Sequence, residues 1–183
     1  MIKLITGPMG AGKSEVLIEN FHYFSMRNQT VIAFKPKSDT RVKNIIRSRN
    51  GLSIPALEVS SFNEIINEII NEIKKDEHID CVIIDEVQFF DFDGFVDLFH
   101  LCQSRNISVF LGGIDLTSEL HPFTTIEKIS PFCTSISKLT AHCGYCGQKA
   151  HYTLCTVPKD GEVLIGDNVY VASCYKCYNA HRR

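Results

Sequence analysis

The chain has 183 residues, 44% of them hydrophobic, enough for one sizeable core and a small appendage. Its 19 basic against 21 acidic residues leave a formal net charge of −2, whereas proteins that follow a nucleic-acid backbone carry a basic excess, so a polymer substrate is disfavoured. No stretch reaches the roughly 20 apolar residues of a membrane span, and the first strand pattern starts at the N-terminus with no leader ahead of it, so the expectation is a cytoplasmic protein with no membrane or nucleic-acid partner.

Ile2-Lys3-Leu4-Ile5-Thr6 is short, apolar and β-branched, and reads as a buried strand. Gly7-Pro8-Met9-Gly10-Ala11-Gly12-Lys13-Ser14 follows and fits G-x-x-x-x-G-K-[ST] without a mismatch. Residues 15–27 then place Leu17, Phe21 and Phe24 at helical spacing. Strand, glycine loop and helix together make an anion cradle, in which backbone N–H groups and a helix N-terminus face phosphate oxygens. Lys13 is expected on the β/γ-phosphates and the Ser14 hydroxyl on magnesium. The competing reading is an ordinary glycine-rich turn into a helix.

Val31-Ile32-Ala33-Phe34 predicts a second buried strand, and residues 36–50 a polar loop rich in arginine and lysine, without sustained apolar period. Residues 56–59 suggest a third short strand. Ser61 and Glu64 form a capping box, each satisfying the other's backbone donor, ahead of a stripe of Phe62, Ile65, Ile66, Ile69, Ile70 and Ile73 read as core packing. Cys81-Val82-Ile83-Ile84 is an apolar run closed by Asp85 and Glu86. In P-loop proteins an acid that closes the strand next to the P-loop strand holds magnesium. A solvated strand end is the alternative. Residues 92–105 predict a helix, and residues 107–111 a buried strand ending in Gly112-Gly113. Strands alternating with helices imply a mostly parallel sheet with nucleotide at the carboxyl ends of its strands.

From Lys138 onward the chain is β-branched and cysteine-paired. Of eight cysteines, Cys81 and Cys133 read as small buried hydrophobes, while four form two C-x2-C pairs, Cys143/Cys146 and Cys174/Cys177, separated by 27 residues. Each pair presents two thiolates, and two pairs complete a four-coordinate structural zinc site. The gap exceeds the roughly 15–20 residues of a plain zinc ribbon, which suggests an insertion. His142, His151 and His181 are rival ligands. The division expected is residues 1–137 for nucleotide and 138–183 for zinc.

Taken together, these motifs resemble the thymidine kinases found in animal cytosol, many bacteria and some viruses, as distinct from the herpesvirus and mitochondrial kind. Gly7-Pro8-Met9, Asp39-Thr40-Arg41, Asp85-Glu86-Val87-Gln88-Phe89-Phe90, Lys138-Leu139-Thr140-Ala141-His142-Cys143, and Tyr170 with Cys174-Tyr175-Lys176-Cys177 carry the resemblance. It implies a P-loop (RecA-like) α/β fold with a small zinc-ribbon-like domain. It also implies an ATP- and Mg2+-dependent transfer of phosphate to the 5′-hydroxyl of a deoxynucleoside, in salvage for DNA synthesis. In that reading Glu86 is the catalytic base, Lys13, Arg41 and Asp39 attend the transferring phosphate, and Gly7 to Ser14 with Asp85, Glu86, Val87 and Gln88 contact the nucleotide. For Arg41 the bland alternative is one solvated charge in a basic loop. Met9, Phe89, Phe123, Thr153, Val163, Leu164, Ile165 and Tyr170 match the nucleoside pocket, residues 161–170 forming a lasso over the base; Phe89 and Phe123 read equally as core. A homotetramer and feedback inhibition by the triphosphate end product are also implied. The rivals are a kinase of another deoxynucleoside and a nucleic-acid-handling ATPase bearing a zinc ribbon.

The chain departs from the family at three places. Ser118 stands where a base-stacking phenylalanine is expected, Cys155 where a basic residue is frequent, and Ile165-Gly166 where a Gly-Gly pair is usual. The resemblance therefore implies thymidine as the preferred acceptor, held more weakly than in relatives, with Ser118→Phe tightening it.

Overall fold

The computed structural model describes residues 1–75, 78–157 and 169–182. Its centre is a six-stranded sheet in the order β5-β2-β6-β7-β1-β8, formed by β1 (Ile2–Thr6), β2 (Val31–Pro36), β5 (Leu57–Val59), β6 (Cys81–Ile84), β7 (Ser108–Gly113) and β8 (Ser135–Lys138). Every neighbouring pair in it is parallel, so each return passes through a crossover and both faces are covered. Alternation decides the faces. Ile2, Leu4, Val82, Ile84, Val109 and Leu111 point into one cluster, Ile5, Cys81, Ile83 and Phe110 into the other.

The first face is covered by α2 (Phe62–Lys74), α3 (Phe95–Ser104) and α4 (Thr124–Ile129), with Phe62, Ile65, Ile69, Phe95, Leu98, Ile126 and Ile129 buried there. The second is covered by α1 (Lys13–Ser25), which buries Leu17 and Ile18. Beside α1 lies a small hairpin of β3 (Ile45–Arg47) and β4 (Ser53–Pro55), whose Ile46 and Ile54 enter the same cluster. This hairpin corrects the expectation of a polar loop over residues 36–50. One buried isoleucine per three-residue strand is too short a pattern to register as a period.

Two further expectations change in detail. Ser61 does cap α2, accepting from Glu64 N at 3.2 Å, but the Glu64 carboxylate takes the Ser60 N–H (3.0 Å) and Lys37 (3.0 Å). The box therefore closes one residue earlier than the motif implies. The strand that ends at Asp85 is also not next to the P-loop strand, because β7 lies between β1 and β6.

Beyond β8 come two small two-stranded sheets. One joins β9 (Ala141–His142) to β10 (Lys149–Ala150), the other β11 (Tyr152–Cys155) to β12 (Tyr170–Ser173), and α5 (Tyr175–His181) follows. Of the residues expected in the pocket or the lasso, 161–168 lie outside the described residues, Val163, Leu164, Ile165 and Gly166 among them. No helix among the described residues is long and apolar enough to cross a membrane.

Candidate active site and metal centre

The carboxyl ends of β1, β6 and β7 converge on the glycine loop between β1 and α1. Lys13 is buried and donates to two carbonyls of its own loop, Gly7 O (3.1 Å) and Pro8 O (2.9 Å). Burial lowers its pKa, against the opposing pull of Glu86, Asp85 and Asp115. Asp85 reaches Ser14, whose Oγ donates to Asp85 Oδ2 at 2.8 Å. That reach spans the width of β7, and Gly112 allows it. A Cβ there would lie 3.0 Å from Asp85 Oδ1 and 2.7 Å from Leu17 Cδ1. Burial, reinforced by the neighbouring Glu86, pushes Asp85 up to about 7, with the Ser14 hydrogen bond opposing. A hydroxyl and a carboxylate oxygen at hydrogen-bond distance are hard donors suited to Mg2+.

Glu86 follows on a left-handed backbone (φ 52), a conformation that costs a non-glycine residue roughly 1 kcal/mol or more. The turn sends its carboxylate back over the site. Oε1 pairs with the Arg41 guanidinium, and Oε2 accepts from Gln88 Nε2 at 2.5 Å. Gln88 Oε1 in turn accepts from Ile114 N at 3.1 Å, so the amide is locked between the end of β7 and Glu86. Arg41 is gripped from its other side by Asp39, with Nε to Oδ1 at 2.7 Å and Nη2 to Oδ2 at 3.1 Å. Lys35 closes the chain at 3.1 Å from Asp39. Burial pushes the Asp39 carboxyl up, but Arg41 and Lys35 outweigh it and hold the pKa below the usual range. Burial works equally against Arg41, and its two acidic partners overcome it, raising the guanidinium's pKa. Arg41 is therefore part of a buried-edge network, unlike the solvated charge that its loop composition allows.

A cavity of about 460 Å³ opens over these groups, lined by Met9, Gly10, Gly12, Lys13 and Ser14 from the loop and by Asp39, Arg41, Asp85 and Glu86. Val87 and Gln88 do not line it. Val87 is fully buried in the core and Gln88 is committed to Glu86 and Ile114, so both sit behind the expected nucleotide contacts. Sequence reading missed Ile114 and the arginines of the hairpin, Arg47 and Arg49, which also line the cavity. Their only signal was the basic character of the segment.

The expected nucleoside residues are distributed around the same loop. Thr153 is buried, and its Oγ1 accepts from Met9 N at 3.0 Å. Phe123 is partly buried against the main core, which makes its contacts there core contacts. Phe89 ends the 3-10 turn Val87–Phe89 after Glu86 and is partly exposed, and Tyr170 opens β12 opposite Cys155. None of these four lines the phosphate-side cavity. Ser118 is 8% exposed, and its carbonyl accepts from Tyr178 Oη of α5 at 2.6 Å.

The Sγ atoms of Cys143, Cys146, Cys174 and Cys177 all lie within 4.8 Å of one another. Thiolates at Zn–S distances of about 2.3 Å need such a spacing, so the donor set fits zinc. Burial works against ionisation of Cys143, but N–H groups of Cys174, Tyr145 and Cys146 outweigh it and lower its pKa to about 6. The rival histidines are elsewhere. His142 faces Gly147 O, His151 packs edge-on to Tyr152, and His181 stacks on Tyr145 with ring centroids 4.0 Å apart. The cluster touches the phosphate loop, since Ala11 packs against Ala141, Cys143, Ala150 and Cys174.

A family model described as thymidine kinase matches residues 1–178. Similar chains include proteins named thymidine kinase from Ureaplasma parvum, 37% identical over 180 residues covering 98% of this chain and 79% of that one. Another is from Mesoplasma florum, 34% identical over 189 residues, covering 99% and 92% respectively. A third, from Bacteroides thetaiotaomicron, is 32% identical over 179 residues, covering 97% and 86%.

Proposed function

The chain belongs to the thymidine kinase family, and on that premise we propose that it transfers the γ-phosphoryl group of ATP to the 5′-hydroxyl of thymidine, giving ADP and dTMP. The observation that carries this reading is Glu86, poised between Arg41 and Gln88 at the edge of the phosphate-loop cavity. A phosphoryl transfer asks the protein for an oriented hydroxyl and for positive charge around the moving group.

Glu86 accepts the proton of the 5′-hydroxyl as its oxygen bonds to the γ-phosphorus and the bond to the β,γ-bridging oxygen breaks. ADP leaves with that electron pair. Lys13 exchanges its two loop carbonyls for phosphate oxygens, while Gly7 to Ser14 offer backbone N–H groups. Arg41, oriented by Asp39, neutralises charge developing on the γ-phosphoryl oxygens. Ser14 and Asp85 would hold Mg2+, which when bound screens the charge of the β- and γ-phosphates. The four cysteines hold a structural zinc with no open position, so zinc stays out of the chemistry. In this division residues 1–137 bind nucleotide, and residues 138–183 hold zinc and, with Met9, Phe89, Phe123 and Thr153, the nucleoside. A cytoplasmic homotetramer is the setting that the family resemblance suggests.

The test is a panel of the four common deoxynucleosides with ATP and Mg2+, followed by ADP release. Thymidine is expected to give the highest kcat/KM. Preference for a purine deoxynucleoside would refute the substrate, and ADP release driven by DNA or RNA without nucleoside would refute the kinase.

A further inference from the structure

β2 carries a charge near its end where its pattern calls for an apolar side chain. Lys35 is 2% exposed, two residues after Ala33 and on the same face of the strand, the face that α1 covers. Phe34 O accepts from Asp85 N at 3.0 Å, so Lys35 stands level with the acids that close β6. It also lies in the wall of the phosphate-side cavity. An ammonium taken out of water is costly unless it is paired and hydrogen-bonded. A methionine of similar reach would fill the position without that cost.

What Lys35 holds is the turn that carries Arg41. Residues 37–44 belong to no helix or strand, so side chains decide where Arg41 points. Lys35 Nζ pairs with Asp39 Oδ2 at 3.1 Å and donates to Val42 O. One contact lies two residues before Arg41, the other one residue after it. The same Asp39 carboxylate takes Arg41 by three donors: its backbone N (3.3 Å), Nε to Oδ1 (2.7 Å) and Nη2 to Oδ2 (3.1 Å). Nη2 then reaches Glu86 Oε1. Lys35, Asp39, Arg41 and Glu86 thus form a row of alternating charge, and its first member is rooted in the sheet.

We propose that Lys35 is a positioning residue for the transfer: by fastening Asp39 and Val42 on either side of Arg41, it sets the guanidinium where it meets Glu86 and the γ-phosphoryl group together. This rests on the reading of Arg41 and Glu86 as reacting groups. A guanidinium displaced by about an ångström still attracts phosphate but no longer matches the transition state, so the loss falls on kcat.

The experiment is steady-state and single-turnover kinetics on the full-length protein with thymidine, ATP and Mg2+, beside calorimetric titration with ATP. Lys35→Met keeps the stem and removes the charge. Its kcat should fall roughly 10- to 100-fold, with the ATP Kd and both KM values within a few-fold of wild type. A melting temperature close to wild type separates this loss from misfolding. Lys35→Arg should recover part of the rate, since it keeps the charge. The decisive comparison is a double-mutant cycle. In an Arg41→Ala background, Lys35→Met should cost no more than about twofold, because the residue it positions is gone. A cost there as large as in wild type would overturn the proposal. So would a loss confined to ATP Kd, which would make Lys35 a direct phosphate contact. If Lys35→Met does not fold, Lys35→Arg carries the same cycle. If Arg41→Ala is slow while Lys35→Met is not, the positioning role alone is wrong. If Arg41→Ala itself turns over within a few-fold of wild type, the reading of Arg41 falls and this role with it.

Discussion

Glu86 combines a costly backbone conformation with two side-chain partners that fix both carboxylate oxygens. Strain held in place by surrounding bonds points to a position where orientation matters more than stability. Glu86→Gln keeps the shape and removes the ability to accept a proton. Turnover should fall by roughly 10²–10⁴-fold, while ATP affinity stays within a few-fold. Turnover within a few-fold of wild type would remove Glu86 from the role of base. The placement of Asp85 and Glu86 at the end of a buried strand facing the glycine loop was legible in the sequence, because two adjacent carboxylates closing an apolar run have few structural uses. The role of Gln88 was not, since its donor and acceptor are spent on a backbone N–H from β7, 26 positions away, and no sequence pattern records that.

Elements were legible where their pattern was long. The stripe of α2 and the apolar runs of β1, β2, β6 and β7 gave the parallel α/β core directly. The β3 and β4 hairpin and the order of strands were not legible, because three-residue strands have no period and order depends on crossovers. The same holds for α5, which follows the second cysteine pair and docks through Tyr178 onto the loop between β7 and α4. A buried carbonyl that loses its partner costs roughly 1–3 kcal/mol, so Tyr178→Phe should loosen that loop around Ser118. In the proposed reading the loop borders the nucleoside, and KM for thymidine should rise by roughly 3- to 10-fold with KM for ATP unmoved. Equal values for both constants in the variant and the wild type would detach α5 from substrate binding. The same contact complicates Ser118→Phe. A ring placed at a position 8% exposed must offset overpacking of about 1–3 kcal/mol before any gain in stacking appears.

At the scale of the molecule, the cysteine cluster and the phosphate loop are joined where the two cores meet. Ala11 packs among the cysteines, Met9 N donates to Thr153 Oγ1 at 3.0 Å, and Lys138 pairs with Asp115 at 2.7 Å. Among the described residues, the part after β8 buries one small cluster of alanines and cysteines, with Leu154 and Tyr178 besides, little apolar surface to hold it without a staple. In the proposed reading zinc supplies it, and because the four thiolates come together only in the folded chain, metal binding and folding of this part are then one process. Cys174→Ser, or stripping with a chelator, should therefore remove about one zinc per chain and abolish thymidine binding. The parallel core, whose stability rests on two large clusters of its own, should keep its far-UV spectrum and a weakened but measurable ATP affinity. Calorimetry on the metal-free protein reads both ligands in one preparation. Thymidine affinity unchanged after the metal is gone would separate the cluster from the nucleoside site, and freshly purified, reduced protein without zinc would end the assignment of the metal.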